Sequence, residues 1–495
     1  MDFDIVVVGA GTAGCTVAAY LARHTSLSIG LLEAGGGYPR WALHAPLAGL
    51  RLRPRWSWRH ETVPMAGLAN RPVVFPMGRV VGGTSAVNAM IAAAGHPRDY
   101  DFLDNGSTDA NRERCLEDLE ALGMRIQAPR YRSSFTRAFL DACCERGLRL
   151  EESLDGSASQ ACGMFPLFQD RGCRWSAAHL LRERRCRERI RVVRRAAVRA
   201  VTLHGARAVG VELEGATRRG TIRTRVGVVL AAGVLQTPCV LQRSGIGPRH
   251  LLESAGIGLV ADLPGVGSNL QDHVGVPWVV PSRVATPGRP SRWLPAAIRY
   301  AIFRDGVMAS NCCEAGCFLG EPGSRPSIEV FTHFQTAKHA NAVEFSTVLL
   351  HPASRGDVGI DPAHPRGPLR IDPNYFSSAD DLLRLAAGLR RTIEIANSDA
   401  LLRYGLAPSA RDVDEDWIRR HATTYFHPAG TCRLGDDPMG VVRRDLRVHG
   451  IDGLWVADNS VVPEVPGGHT ALTAMLIGAK AGRSIAAHGD ALAGS

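Results

Sequence analysis

Residues 3–36 read FDIVVVGAGTAGCTVAAYLARHTSLSIGLLEAGG. The apolar run Phe3, Ile5, Val6, Val7, Val8 has the composition of a strand buried on both faces, as in a parallel sheet. It leads into Gly9-Ala10-Gly11-Thr12-Ala13-Gly14 and then into a helical pattern over residues 15–23. Each glycine of this G-x-G-x-x-G has its own task. The first permits the tight turn, the second lets a pyrophosphate approach the backbone, and the third lets helix and strand pack closely. The helix start offers unpaired N–H groups and a positive dipole end to phosphates. A second apolar run, 29–32, ends in Glu33, 19 residues beyond Gly14, where a carboxylate meets a ribose hydroxyl of a bound dinucleotide. The flanking strand, helix and spaced acid favour nucleotide binding over a bare turn of some other α/β domain, and leave FAD and NAD both open.

A chain of 495 residues exceeds a single simple core, so two or three structural units are expected. At 45% apolar residues it reads as globular, and no run reaches the ~18 apolar residues of a membrane span. The first strand begins at residue 3, which leaves no room for a secretory leader; the expectation is a cytoplasmic protein with no membrane partner. The net charge of +10 invites a nucleic-acid reading. However, only Lys338 and Lys480 are lysines, and the 16 arginines between Arg171 and Arg225 are interleaved with Val, Leu and Glu. That is the pattern of solvated strands and helices, and no recognition motif accompanies it. The 12 cysteines form no C-x-x-C pair and have no histidine ladder beside them. They read as reduced, buried small residues, with no metal expected.

Beyond Glu33, residues 39–59 are rich in Pro, Arg and Trp and read as a surface loop. Gly78-Arg79-Val80-Val81-Gly82-Gly83-Thr84-Ser85-Ala86-Val87-Asn88 follows, with an apolar run behind it. Adjacent glycines before Thr-Ser fit a second close approach of backbone to ligand and a helix start capped by hydroxyls; an ordinary capped helix would carry the same residues. Residues 190–193, 197–203, 208–213 and 226–230 read as strands, with turns at His204-Gly205 and Glu214-Gly215. The last of them ends in Ala231-Ala232-Gly233, again a glycine at a strand's carboxyl end. From 274 to 425 the pattern changes. Alternating runs at 327–334 and 346–351 suggest an antiparallel sheet, and residues 379–398 form an amphipathic helix.

Four stretches, in order and spanning most of the chain, resemble the glucose-methanol-choline (GMC) family of flavoprotein oxidoreductases, on its choline dehydrogenase and alcohol oxidase-like side. They are GRVVGGTSAVNAMIAAAGHPRDYD; Gly233-Val234-Leu235-Gln236-Thr237-Pro238 through Ser244-Gly245-Ile246-Gly247-Pro248; LPGVGSNLQDH, ending at His273; and FHPAGTCRLG…GLWVADNSVVPEVPGGHTALTAMLIG. Val234 departs from the small residue usual there. The resemblance implies an α/β (α+β overall) protein. A discontinuous Rossmann-like FAD-binding domain would take residues 1–98, 160–273 and 427–495. A substrate-binding domain with an antiparallel sheet and flanking helices would take 99–159 and 274–426. Residues 101–130 lack the Trp-rich lid sequence common in relatives, so a shortened cap is expected.

The resemblance also nominates residues. Cofactor contacts fall on Gly9, Gly11, Thr12, Ala13, Gly14, Glu33 and Ala34, and on Arg79, Val81, Gly82, Gly83, Thr84, Asn88, Ala89 and Met90. Further contacts fall on Val198, Ala232, Gly233, Asp458, Asn459, Thr470 and Ala471. Val87 stands where some relatives carry the histidine that attaches FAD covalently, which implies non-covalent FAD. His427, in a Pro- and Gly-fixed loop, and His469, before a helix over residues 471–487, match the family's active-site pair; either alone would more often be structural. The implied reaction is oxidation of an alcohol, with O2 or another electron acceptor taking up the electrons. A proton acceptor near neutral pKa is needed because the C–H donates hydride only as the O–H proton leaves. His427 is the expected base, and His469 would steer the hydroxyl and stabilise alkoxide charge. Thr470 is expected to cap the helix, whose positive end would stabilise negative charge on reduced flavin. Two rival readings remain at this point: a flavin-containing hydroxynitrile lyase and an NAD-dependent dehydrogenase.

Overall fold

The structure, a computed structural model, describes residues 1–37, 44–47, 53–103, 110–214, 219–283, 293–334, 341–408 and 413–492. Strand β1 (Asp2–Val8), helix α1 (Thr12–His24) and strand β2 (Ile29–Glu33) form as the opening stretch dictates. Ile5, Val6 and Val7 are wholly buried, because β1 lies between parallel neighbours: β2 on one side, and the Arg219–Leu230 strand on the other. Ile190–Arg194 extends the sheet beyond β2. Leu454–Val456 adds in parallel to the carboxyl end of Arg219–Leu230; Arg207–Glu214 pairs antiparallel with its start, and Val198–His204 pairs antiparallel with Arg207–Glu214. Val8, Leu32, Leu230 and Val456 are in register. The carboxyl ends of four strands therefore open on one edge, the place where α/β sheets bind ligands.

The helix Thr470–Leu492 packs on α1. Gly478 and Gly482 permit the close crossing: a Cβ at the first would lie 2.7 Å from the Ala13 carbonyl oxygen, and at the second 2.7 Å from Tyr20 Cβ. A second sheet runs Thr423–Thr424, Val274–Pro281, Ala342–Leu349, Ile328–Phe334, Ala315–Leu319, Ala161–Met164, Arg149–Glu151, with antiparallel pairing at its centre. The amphipathic helix Ala379–Ala396 covers it and buries Leu382, Leu385 and Leu389.

Several expectations need correction. The sheets do not change at residue 160, since Ala161–Met164 pairs with Ala315–Leu319 of the second sheet. Nor do residues 99–124 all belong with the substrate side. The helix Ala110–Ala121 packs on Thr470–Leu492, and Cys115, Leu119, Leu122 and Met124 lie in the first core. So Leu103 and the helix Ala110–Ala121 pack on the core of the first sheet. Residues 57–59 belong to a strand, Ser57–Glu61, paired with Val74–Gly78, while much of the expected 39–59 loop, and Gly215 of one expected turn, fall outside the described residues. The second alternating run begins earlier than its pattern suggests, at Ala342.

The Thr84-Ser85 stretch is one 3-10 turn, Gly83–Ala86, not the start of a long helix. Gly82 and Gly83 hold φ of 96° and 54°, and Met90 holds 62°, values that break a helix on both sides. The two hydroxyls serve the turn: Thr84 Oγ1 accepts from Gly78 N–H at 3.1 Å, and Ser85 Oγ donates to the Gly82 carbonyl at 2.6 Å. Ten of the 12 cysteines are buried and all are free thiols. No helix among the described residues is long and apolar enough to cross a membrane.

Candidate active site

A cavity of about 660 Å3 runs from the carboxyl edge of the first sheet to the face of the second. At the first end it is walled by Gly9, Gly11, Thr12 and Ala13, by Glu33 and Ala34, by Val198, and by Ala232 and Gly233. Gly9 has a φ of 99°, and a Cβ there would lie 2.3 Å from the Ala231 carbonyl oxygen. Gly14 does not line the cavity; its Cβ would lie 1.9 Å from the Gly9 carbonyl oxygen, so it lets α1 dock under the loop. At Gly11 a Cβ would find nothing closer than 4.0 Å. The space beside Gly11 therefore belongs to no protein atom, as a cradle for a pyrophosphate requires. Glu33 is buried, its Oε1 accepts from Gly35 N–H at 2.7 Å, and burial pushes its carboxyl above the ordinary value.

The Gly82-Gly83 loop closes over this turn. Gly82 N–H donates to the Ala10 carbonyl at 2.7 Å, and a Cβ on Gly83 would lie 2.6 Å from Gly11 Cα. Gly83, Thr84, Asn88, Ala89 and Met90 reach the cavity, whereas Arg79, Val81 and Gly82 sit behind its wall. Arg79 instead stacks on Trp58, 4.0 Å from the ring centroid. Asp458, Asn459, Thr470 and Ala471 complete this end. Asp458 is committed to the scaffold: its carboxylate accepts from Gly233 N–H at 2.8 Å, Thr237 Oγ1 at 2.6 Å and Ser460 N–H at 2.9 Å. Asn459 Nδ2 donates to the Thr470 carbonyl at 3.1 Å, while its buried Oδ1 has no partner. Thr470 is the first helical residue rather than the cap. A glycine cradle, a buried acid at the end of β2, an open helix start and an orphaned amide oxygen together fit a bound dinucleotide such as FAD.

His427 and His469 meet where the two ends join, ring centroids 4.8 Å apart and planes at 80°. His427 lies on the loop after Thr423–Thr424, tied down by its own N–H, which donates to Asp272 Oδ1 at 2.8 Å. Burial, and then the fields of His469 and His273, hold its pKa well below the ordinary histidine value. His469 is fixed by its N–H to the Ala93 carbonyl at 2.8 Å, and its Nε2 lies 3.0 Å from Glu329 Oε1.

Several wall residues were not singled out from sequence. Glu329, Phe331 and His333 on Ile328–Phe334, with Glu344 and Ser346 on Ala342–Leu349, all line the cavity; His333 faces Glu344 and Phe331 faces Ser346 across the ladder. Their period-2 spacing was the available signal, since alternate residues share one face. Trp58 and His60, also two apart, line it as well. His273 touches His427, its Nδ1 2.9 Å from His427 Nδ1; no local pattern joins two residues so distant in sequence.

Comparison with known proteins agrees with this architecture. The N-terminal GMC oxidoreductase family profile matches residues 3–275 and the C-terminal one residues 352–478. An oxygen-dependent choline dehydrogenase of Photobacterium profundum is 31% identical over 98% of this chain and 93% of its own length. An alcohol dehydrogenase [acceptor] of Pseudomonas putida is 29% identical over 98% and 95%. Among solved structures, pyridoxine 4-oxidase from Mesorbium loti superposes with a TM-score of 0.85 at 27% identity, covering 97% of this chain and 98% of that one. Formate oxidase, at a TM-score of 0.86 and 23% identity, shares the fold. Motifs, paired sheets and full-length matches converge: the chain belongs to the GMC family of FAD-dependent oxidoreductases.

Proposed function

We propose that this protein oxidises a polar small-molecule primary alcohol to the aldehyde, with non-covalently held FAD, His427 as the base and His469 as the group that steers the hydroxyl. The observation that carries the reading is the meeting of two imidazoles at the junction between the nucleotide cradle and a polar sheet face. FAD, when bound, supplies the hydride acceptor. The rest is the work of the chain.

His427 is neutral because burial and two neighbouring imidazoles depress its pKa, and a neutral ring can take the hydroxyl proton. Glu329 Oε1 lies 3.0 Å from His469 Nε2 and fixes the orientation of that ring. A ring so held can hydrogen-bond the substrate oxygen and steer the hydroxyl. Phe331 and Tyr425, edge to face at 5.7 Å, exclude water from the wall beside them. Val87 is buried between Val80 and Ala86 and offers no nucleophile to the cofactor, so acid precipitation of the protein is expected to release all of its flavin.

The His333–Glu344 pair gives the sheet face a negative end suited to a substrate with a cationic or strongly hydrogen-bonding group. Glu344→Gln is expected to weaken binding of cationic alcohols about tenfold or more and leave neutral aromatic alcohols nearly unchanged. Dissociation constants from flavin-reduction titrations check this. The function itself is tested by anaerobic mixing with an alcohol panel while following the flavin band, then admitting oxygen. Bleaching by an alcohol supports the reading, and fast recolouring in oxygen marks an oxidase. Failure of every alcohol to bleach, together with cyanohydrin cleavage, would identify a lyase instead.

A further inference from the structure

LPGVGSNLQDH ends in a histidine that the reaction above leaves without a task. His273 is fully buried. Its Nδ1 meets His427 Nδ1 at 2.9 Å, the rings edge to face with centroids 5.0 Å apart. Two facing nitrogens at that distance need one proton between them: two lone pairs repel, and so do two N–H groups. One ring must donate and the other accept.

The role of His427 decides it. A base must offer the substrate a lone pair at Nε2, the nitrogen on the far side of its ring from His273, so its own proton sits on Nδ1 and His273 Nδ1 is left to accept it. The neutral His273 then carries its proton on the buried Nε2. Burial keeps the ring from charging, with a pKa held down to about 3, so the second proton that would make it a donor on both sides is excluded. The contact is also braced. The Asp272 carboxylate accepts the His427 N–H at 2.8 Å and the backbone N–H of His273 as well, and it takes the Tyr375 hydroxyl. One buried side chain thus holds both histidine backbones.

We propose that His273 is a positioning residue that sets the tautomer of the base: it accepts the Nδ1 proton of His427, so that His427 presents its Nε2 lone pair to the substrate. The opposite tautomer would put a proton on Nε2, and the ring could then donate to the hydroxyl but not deprotonate it. In the step itself the O–H bond breaks, an N–H bond forms at Nε2, and the Nδ1–H···Nδ1 bond to His273 spreads the charge of the resulting imidazolium. The second imidazole thereby does for a redox base what an orienting acceptor does for other catalytic histidines. This assignment rests on His427 being the base.

Two measurements test it. The first needs no turnover: 15N-histidine-labelled holoenzyme is examined by NMR at neutral pH, with the His427 signals identified by their loss in His427→Gln. Protonated Nδ1 and unprotonated Nε2 are expected; a proton on Nε2 overturns the proposal. The second compares His273→Leu, which cannot accept, with His273→Asn, whose Oδ1 can stand near the place of Nδ1. Both variants are first checked for retained FAD absorbance. The limiting rate of flavin reduction is expected to fall roughly 10- to 100-fold in His273→Leu with little change in substrate dissociation constant, and to be largely restored in His273→Asn. Equal losses in both variants, or a change confined to the dissociation constant, would sink it. If the wild-type protein reduces no flavin with any alcohol, the functional reading fails, while the NMR result still judges the tautomer.

Discussion

His427→Ala, loaded with FAD and mixed anaerobically with its alcohol, is expected to reduce its flavin ~10²-fold or more slowly than the wild type. The alcohol's C–H becomes a competent hydride donor only as its proton departs, and the variant has no acceptor at that place. Substrate dissociation constants should change little, because the sheet face that contacts the rest of the molecule is untouched. The pH profile adds a second check. Burial first, and then the neighbouring His469 and His273, depress the pKa of His427. A lowered pKa means the neutral, proton-accepting form persists on acidification, so the reduction rate should stay level as pH falls through ~6.5, the ordinary histidine value. A steep loss of rate centred there would show the base to be an unperturbed histidine. His469→Asn should cost less than His427→Ala, since an amide still donates to the substrate oxygen. Equal or reversed effects would exchange the two roles.

The two ends of the cavity differ in how far the chain announces them. The nucleotide end was legible because its pattern is local: Gly9, Gly11 and Gly14 fall within one six-residue motif, although the steric demand on Gly9 comes from Ala231 and only that on Gly14 from within the motif, and Glu33 follows at the distance that one helix and one strand impose. The Gly82-Gly83 loop left two readings open, a close approach of backbone to ligand or an ordinary capped helix. Thr84 and Ser85 have the look of helix caps, and only the positive φ at Gly82, Gly83 and Met90 shows that their hydroxyls serve a turn. The sheet end was half legible. Alternation marks 327–334 as a strand, yet period 2 does not say which of its two faces is core. The face with Ile328 and Val330 is core, and the one with Glu329 and His333 is the site. His273 lay outside reach altogether, since its meaning depends on a contact with His427 that only the tertiary fold creates. The same holds for the helix Ala110–Ala121, whose affiliation with the first core is fixed by the helix Thr470–Leu492 far along the chain.

Gly11→Ala and Gly14→Ala, two alanines three residues apart, are expected to fail in different ways. At Gly14 the new Cβ would lie 1.9 Å from the Gly9 carbonyl oxygen. Both groups belong to backbone that the first sheet and α1 hold in place, so neither can turn aside. Helix and strand must separate, and the cofactor-free protein should lose about 1–3 kcal/mol of stability or more, with FAD binding lost as a consequence. At Gly11 the φ of −76° suits any residue, and the Cβ meets nothing closer than 4.0 Å. The cofactor-free protein should therefore melt close to the wild type, losing at most the ~1 kcal/mol that alanine costs at a helix N-cap. The methyl stands, however, where a pyrophosphate must come against the backbone, so FAD affinity should drop roughly 10²-fold, and the upward shift in melting temperature that FAD gives the wild type should shrink accordingly. Thermal melts of the cofactor-free proteins with and without added FAD, alongside a fluorescence titration of FAD, separate the two cases. Should Gly11→Ala bind FAD as tightly as the wild type, the cradle is not where the phosphates lie. Should it lose as much cofactor-free stability as Gly14→Ala, the second glycine serves packing and not the ligand.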